Sequence, residues 1–148
     1  MKSIQANEDF DALLKVEQAI LFTFFDWSSQ ADLSLNVFTE WEHEWKAAHP
    51  NAPVGFYRLD PDHHPYTWQW LAQHARGEDG MDGGFGAVTW LRNGNSVAFV
   101  RYAAKAGKQT LSRLTDGYFG TVTFAEPGAP GNAGGRSSCR LEPQVRRA

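Results

Sequence analysis

Apolar residues along the chain fall into short runs that alternate between the periods of helix and strand. After an extended start, Asn7 can cap a helix with Phe10, Leu13 and Leu14 on one face and Glu8, Asp9 and Asp11 near its positive end. The continuous run "AILFTFF", Ala19 to Phe25, has the length and the β-branched and aromatic content of a strand buried on both faces. From about Asp32 to Ala48, Val37, Phe38, Trp41 and Trp45 recur at helical spacing, while Glu40, Glu42, Glu44 and Lys46 lie off that stripe, and Pro50 stops the helix.

"PVGFYRLD", Pro53 to Asp60, predicts a second buried strand, closed by a turn rich in Asp, His and Pro. Pro65 suits a first helical position, and Trp68, Leu71, Ala72 and Ala75 form one stripe behind it, with Trp70 off that face. The glycines of "RGEDGMDGGFG", Arg76 to Gly86, predict a mobile loop. "AVTWL" and "SVAFVRY" flank Asn93-Gly94, a strong hairpin signal, and should pair antiparallel. Leu111, Leu114, Thr115 and Tyr118 place one face of a last helix on the sheet. Beyond Phe119 the Gly, Pro and Ala content leaves too little apolar surface to offset the entropy of ordering, so a domain over 1–119 and a disordered tail over 120–148 are expected.

Composition agrees with one core. A chain of 148 residues with 42% hydrophobic content, six Trp and ten Phe can bury most of its apolar surface without staples. The net charge of −3 provides no electrostatic footprint for nucleic acid or an anionic membrane, so neither is expected as a partner. "MKSIQANEDF" lacks the apolar centre of a signal peptide, and a cytoplasmic protein is expected. The lone Cys139 cannot form a disulfide within the chain, which agrees with a reducing compartment.

Candidate chemistry centres on "FFDWSSQADLS", where an apolar run ends in a turn and a helix begins. A helix tip favours an anion or an activated nucleophile, yet serines, a glutamine and acids occupy it. A serine there would need a neighbouring base, so Ser29-x-x-Asp32 is read as a capping arrangement. Trp27 is either half-buried packing or a partner contact. Asp62, His63 and His64 read as an exposed turn, and His43 lies among acids on a helix; neither has metal-ligand spacing, and no metal or other cofactor is expected. Arg136 and Arg140 near Cys139 could lower its pKa, but nothing in the tail would hold a substrate.

The element order is strand, helix, strand, helix, strand, helix, two hairpin strands, helix. Two parallel crossovers and a hairpin give an α/β fold with a mixed sheet. This order resembles thioredoxin from Met1 to about Phe119, most visibly in "FDALLKVEQAILFTFF" and "VTWLRNGNSVAFVRY". The resemblance implies a thioredoxin-like fold with a mixed central sheet of about five strands flanked by four helices. Thioredoxins carry Trp-Cys-x-x-Cys where the central strand meets the second helix; here the place reads Trp27-Ser28-Ser29-Gln30-Ala31. Anchoring on the tryptophan puts Ser28 and Ala31 in the cysteine positions, whereas matching strand length points to Ser29 and Asp32, and neither register contains sulfur. The family's buried acid corresponds to Thr23, and its cis-proline to Gly86, between Phe85 and Ala87. The resemblance therefore implies a degenerate member: a redox-inactive module that binds a protein or peptide, as an adapter or chaperone-like domain. Its partner-binding candidates are Trp27, Met81, Phe85, Gly86 and Ala87. The alternatives are a residual thiol-disulfide role through Cys139 and a structural homo-oligomer, and the sequence leaves the oligomeric state open.

Overall fold

The run "AILFTFF" becomes the middle of the sheet because its alternate residues serve two separate cores. The computed structural model describes residues 1–63 and 84–120. Strand β2 (Gln18–Thr23) sends Ile20 and Phe22 into a cluster with Phe38, Trp41, Phe56 and Trp90, and sends Ala19 and Leu21 into another with Ile4, Phe10, Leu13 and Leu91. An apolar residue at every position is what a strand covered on both faces requires. Phe24 and Phe25 follow the strand and remain buried.

The strand order is β1-β3-β2-β4-β5, with β1 (Lys2–Ser3), β3 (Gly55–Leu59), β4 (Ala87–Arg92) and β5 (Asn95–Val100) completing the sheet. β1, β3 and β2 are parallel, while β4 runs antiparallel to β2 and β5 antiparallel to β4. This is the expected mixed sheet of five strands. The hairpin turn has Asn93 at φ 52° and Gly94 at φ 81°, the two positive values that match the twist of paired strands. β3 is shorter and less buried than expected: only Phe56 and Leu59 are fully covered, because its outer neighbour β1 spans two residues.

Helix α1 (Asn7–Leu13) packs on one core, and α2 (Ser29–Ala48) and α3 (Ala103–Phe119) on the other. Three helices thus flank the sheet among the described residues; the fourth, expected around Pro65 to Ala75, lies outside them, as do Met81, Trp70, His64, the tail beyond 120 and Cys139. α3 ends at Phe119 with Gly120 left-handed at φ 63°.

Two local expectations are corrected. Asn7 does not cap α1: Ala6 holds that position, and the Asp9 carboxylate reaches back to accept the N–H groups of Gln5 (2.9 Å) and Ala6 (3.1 Å). Glu42 is buried instead of lying on the polar face of α2, because the Met1 ammonium (2.9 Å) and Lys46 Nζ (2.6 Å) both contact its carboxylate. Glu40 and Glu44 are exposed and share Lys108 of α3, whose pKa is raised by hydrogen bonds to Glu44 and then Glu40.

Candidate functional site

β2 ends at Thr23, a buried residue paired with Ala87 of β4, and four residues carry the chain from there to the tip of α2. The residue at the tip is Ser28, not Ser29. Its backbone is extended, its Oγ accepts the Ala31 N–H at 3.2 Å, and α2 begins at Ser29, ahead of the expected start near Asp32. Ser28 is buried and donates its hydroxyl proton to the carbonyl of Gly84 at 2.6 Å, with Gln30 Oε1 at 3.3 Å. Ala31 is fully buried, whereas Ser29, Gln30 and Asp32 face solvent. The sequence reading placed the cap at Ser29; the partner that holds Ser28 there instead, Gly84, is 56 residues away.

A second serine of α2 repeats the contact one residue further along the same loop. The buried Ser34 donates to the Phe85 carbonyl at 2.6 Å and accepts the Ala104 N–H at 3.0 Å. The Ala103 N–H in turn donates to the Gly86 carbonyl at 3.0 Å. Gly86 therefore lies between α2 and the start of α3, at φ +89° with Ser34 directly against it. No cis peptide bond occurs among the described residues, so at the place where the resemblance puts a cis-proline the chain has a left-handed glycine. Phe85 is half-buried, with Tyr102 at 5.0 Å between ring centroids and the Arg101 guanidinium 4.9 Å above its ring.

Trp27 is held and exposed at once. Its indole N–H donates to Asp62 Oδ2 at 2.7 Å, its ring lies 5.4 Å from that of Phe25, and Gly84 packs so close that a Cβ there would fall 2.7 Å from the indole. Even so, 64% of the residue is accessible. Leu33, on the first turns of α2, is the other large apolar residue exposed near the tip, at 56%. Asp62 and His63 go to different partners, since His63 Nε2 pairs with Asp26 Oδ2 at 3.1 Å. Asp62, Ser34 and Gly84 were missed as site residues because each acts through a contact distant in sequence.

Ser28 has both hydrogen-bonding roles filled by the main chain, and its recorded partners among the described residues include no His, Lys or carboxylate that could take its proton. Replacing it by alanine removes the cap and leaves a buried carbonyl unpaired. Ser28→Ala is expected to lower the unfolding free energy by about 2–3 kcal/mol in urea titrations, with an unchanged slope.

Neither family models nor curated proteins give a match to this sequence. Solved structures do. A thioredoxin from Plasmodium falciparum superposes with a TM-score of 0.57 at 18% identity, over 80% of this chain and 99% of that one. Mitochondrial thioredoxin 3 from Saccharomyces cerevisiae gives 0.54 at 14% identity, over 76% of this chain and 91% of that one. A zinc-bound form of human ERp44 gives 0.52 at 20% identity, over 78% of this chain and 31% of that one. At such identities the likeness is one of fold.

Proposed function

We propose that this chain, which has the thioredoxin fold but one cysteine among its 148 residues, binds a polypeptide through the face around Trp27 and exchanges no disulfides there. The observation that carries the reading is the state of Trp27: exposed to solvent, yet fixed by Asp62 and by packing on Phe25 and Gly84. A fixed aromatic loses little freedom on binding, and tryptophan is enriched among the residues that dominate interface energies. Disulfide exchange needs a thiolate, and the residues at the tip are Ser28, Ser29, Gln30 and Ala31. Ser28, with a far less acidic hydroxyl, is engaged in holding the Gly84 loop. Binding without turnover is the property of an adapter or chaperone-like domain. No described helix is long and apolar enough to cross a membrane, and a cytoplasmic setting belongs to the proposal on the strength of the lone cysteine.

The test is affinity capture from a native cell extract with the intact chain and with a Trp27→Ala, Phe85→Ala variant. A polypeptide retained by the first should bind the second roughly thirtyfold more weakly, the loss that follows from truncating a central aromatic anchor. Equal retention by both would remove this face from the proposal. In parallel, insulin reduction by dithiothreitol should run at the uncatalysed rate, and acceleration that disappears in Cys139→Ser would return the protein to thiol chemistry.

A further inference from the structure

The surroundings of Trp27 specify more than an apolar anchor. The face of an indole carries negative potential and attracts a cation lying within about 6 Å, more strongly than a phenyl ring does. Here the indole N–H is bonded at 2.7 Å to the Asp62 carboxylate, which places a full negative charge at the ring edge and polarises the ring in the same sense. The preceding residue, Asp26, supplies a second exposed carboxylate, which pairs with His63. A third exposed acid, Asp32, lies in the first turn of α2.

The same molecule shows what completes such a set. Arg58 lays its guanidinium 4.3 Å from the centre of the Phe24 ring while its Nε donates to Asp60 Oδ1 at 3.2 Å. Aromatic ring, carboxylate and guanidinium thus form one unit at the end of β3. At Trp27 the ring and the carboxylate are present, the residue is 64% exposed, and no cation lies over the ring among the described residues.

We propose that the partner of this face presents a cationic side chain to the Trp27 ring, arginine in preference to lysine. The inference rests on the polypeptide-binding reading and names the chemistry recognised there. Arginine is favoured because a planar guanidinium can stack on the indole while its edge donates to a carboxylate beside it. Leu33 offers apolar surface on the adjoining turns of α2, so the preferred segment pairs the cation with an aliphatic neighbour.

The test uses the full chain and a blocked pentapeptide, Gly-Leu-Arg-Leu-Gly, titrated against the same peptide with citrulline in place of arginine. Citrulline keeps the shape and removes the charge. The readout is the Trp27 indole N–H resonance, identified by its loss in Trp27→Phe. The arginine peptide should bind about fivefold more tightly than the citrulline peptide. Asp62→Asn retains an acceptor for the indole and removes the charge, and should bring the two affinities within about twofold. Glu8→Gln, the same charge change on exposed α1, should leave the ratio intact and so separates local recognition from net charge. Equal affinities for the two peptides would overturn the cation while leaving polypeptide binding in place. Movement by neither peptide would also overturn it, and the capture experiment would then decide the wider reading alone.

Discussion

Gly86→Ala will lower the unfolding free energy by about 3 kcal/mol, an unusually large cost for one methyl group. Two independent penalties meet at this position. The backbone is at φ +89°, where an L side chain is strained, and an ideal Cβ would lie 2.3 Å from Ser34 Cβ and 2.8 Å from its Oγ. The obstacle cannot swing away, because Ser34 Oγ is fixed between the Phe85 carbonyl and the Ala104 N–H. Urea unfolding separates the two penalties in a double-mutant cycle: Ser34→Gly has its own cost, but in that background Gly86→Ala should cost only the backbone part of about 1–2 kcal/mol. A loss below about 1 kcal/mol in the single variant would contradict the close approach of α2 to this loop.

Trp41→Ala should cost at least as much, about 3–5 kcal/mol, by opening a cavity in the larger core. The residue is 1% exposed, with ring centroids at 5.5 Å from Phe38, 5.7 Å from Phe56 and 6.2 Å from Trp45. Its indole N–H also donates to Ser112 Oγ at 2.9 Å, joining α2 to α3. Trp41→Phe keeps most of the volume and drops the bond, so its smaller cost, about 1–2 kcal/mol, measures that link. Equal losses in the two variants would mean that the hydrogen bond, and not the packing, holds the helices together.

The elements that could be read from sequence are those whose evidence is local. "AILFTFF" has no charged residue and only Thr23 as a polar one, Asn93-Gly94 sits between apolar strands, and Phe38, Trp41 and Trp45 repeat at the helical period. What escaped was settled by partners far along the chain. Ser29 was read as the cap, but the chemically identical Ser28 takes the role because it is the one that faces the Gly84 carbonyl. Glu42 lay on the polar side of its stripe, and it is buried because two cations meet it there. Asp9 took the capping role expected of Asn7 by reaching back from inside the helix. Trp27 was legible as a residue of consequence, but Asp62, which fixes its ring, could not be identified before the turn brought them together.

Gly107 interrupts α3 at φ 84° and ψ 163°, with nothing within 4 Å of where a Cβ would lie. Among the described residues nothing packs against that position, so the break divides the helix without a contact there. Ahead of it, Ala103 is buried in the larger core and donates its N–H to the Gly86 carbonyl, while the Ala104 N–H bonds to Ser34; beyond it, Leu111, Thr115 and Phe119 are buried. One helix thus makes two kinds of joint, its leading turn tied to the 84–86 loop by main-chain bonds and its longer remainder packed on the sheet. A substitution in the leading turn therefore reaches the loop beneath Trp27 as well as the core, whereas one past the glycine is met by the core and the sheet.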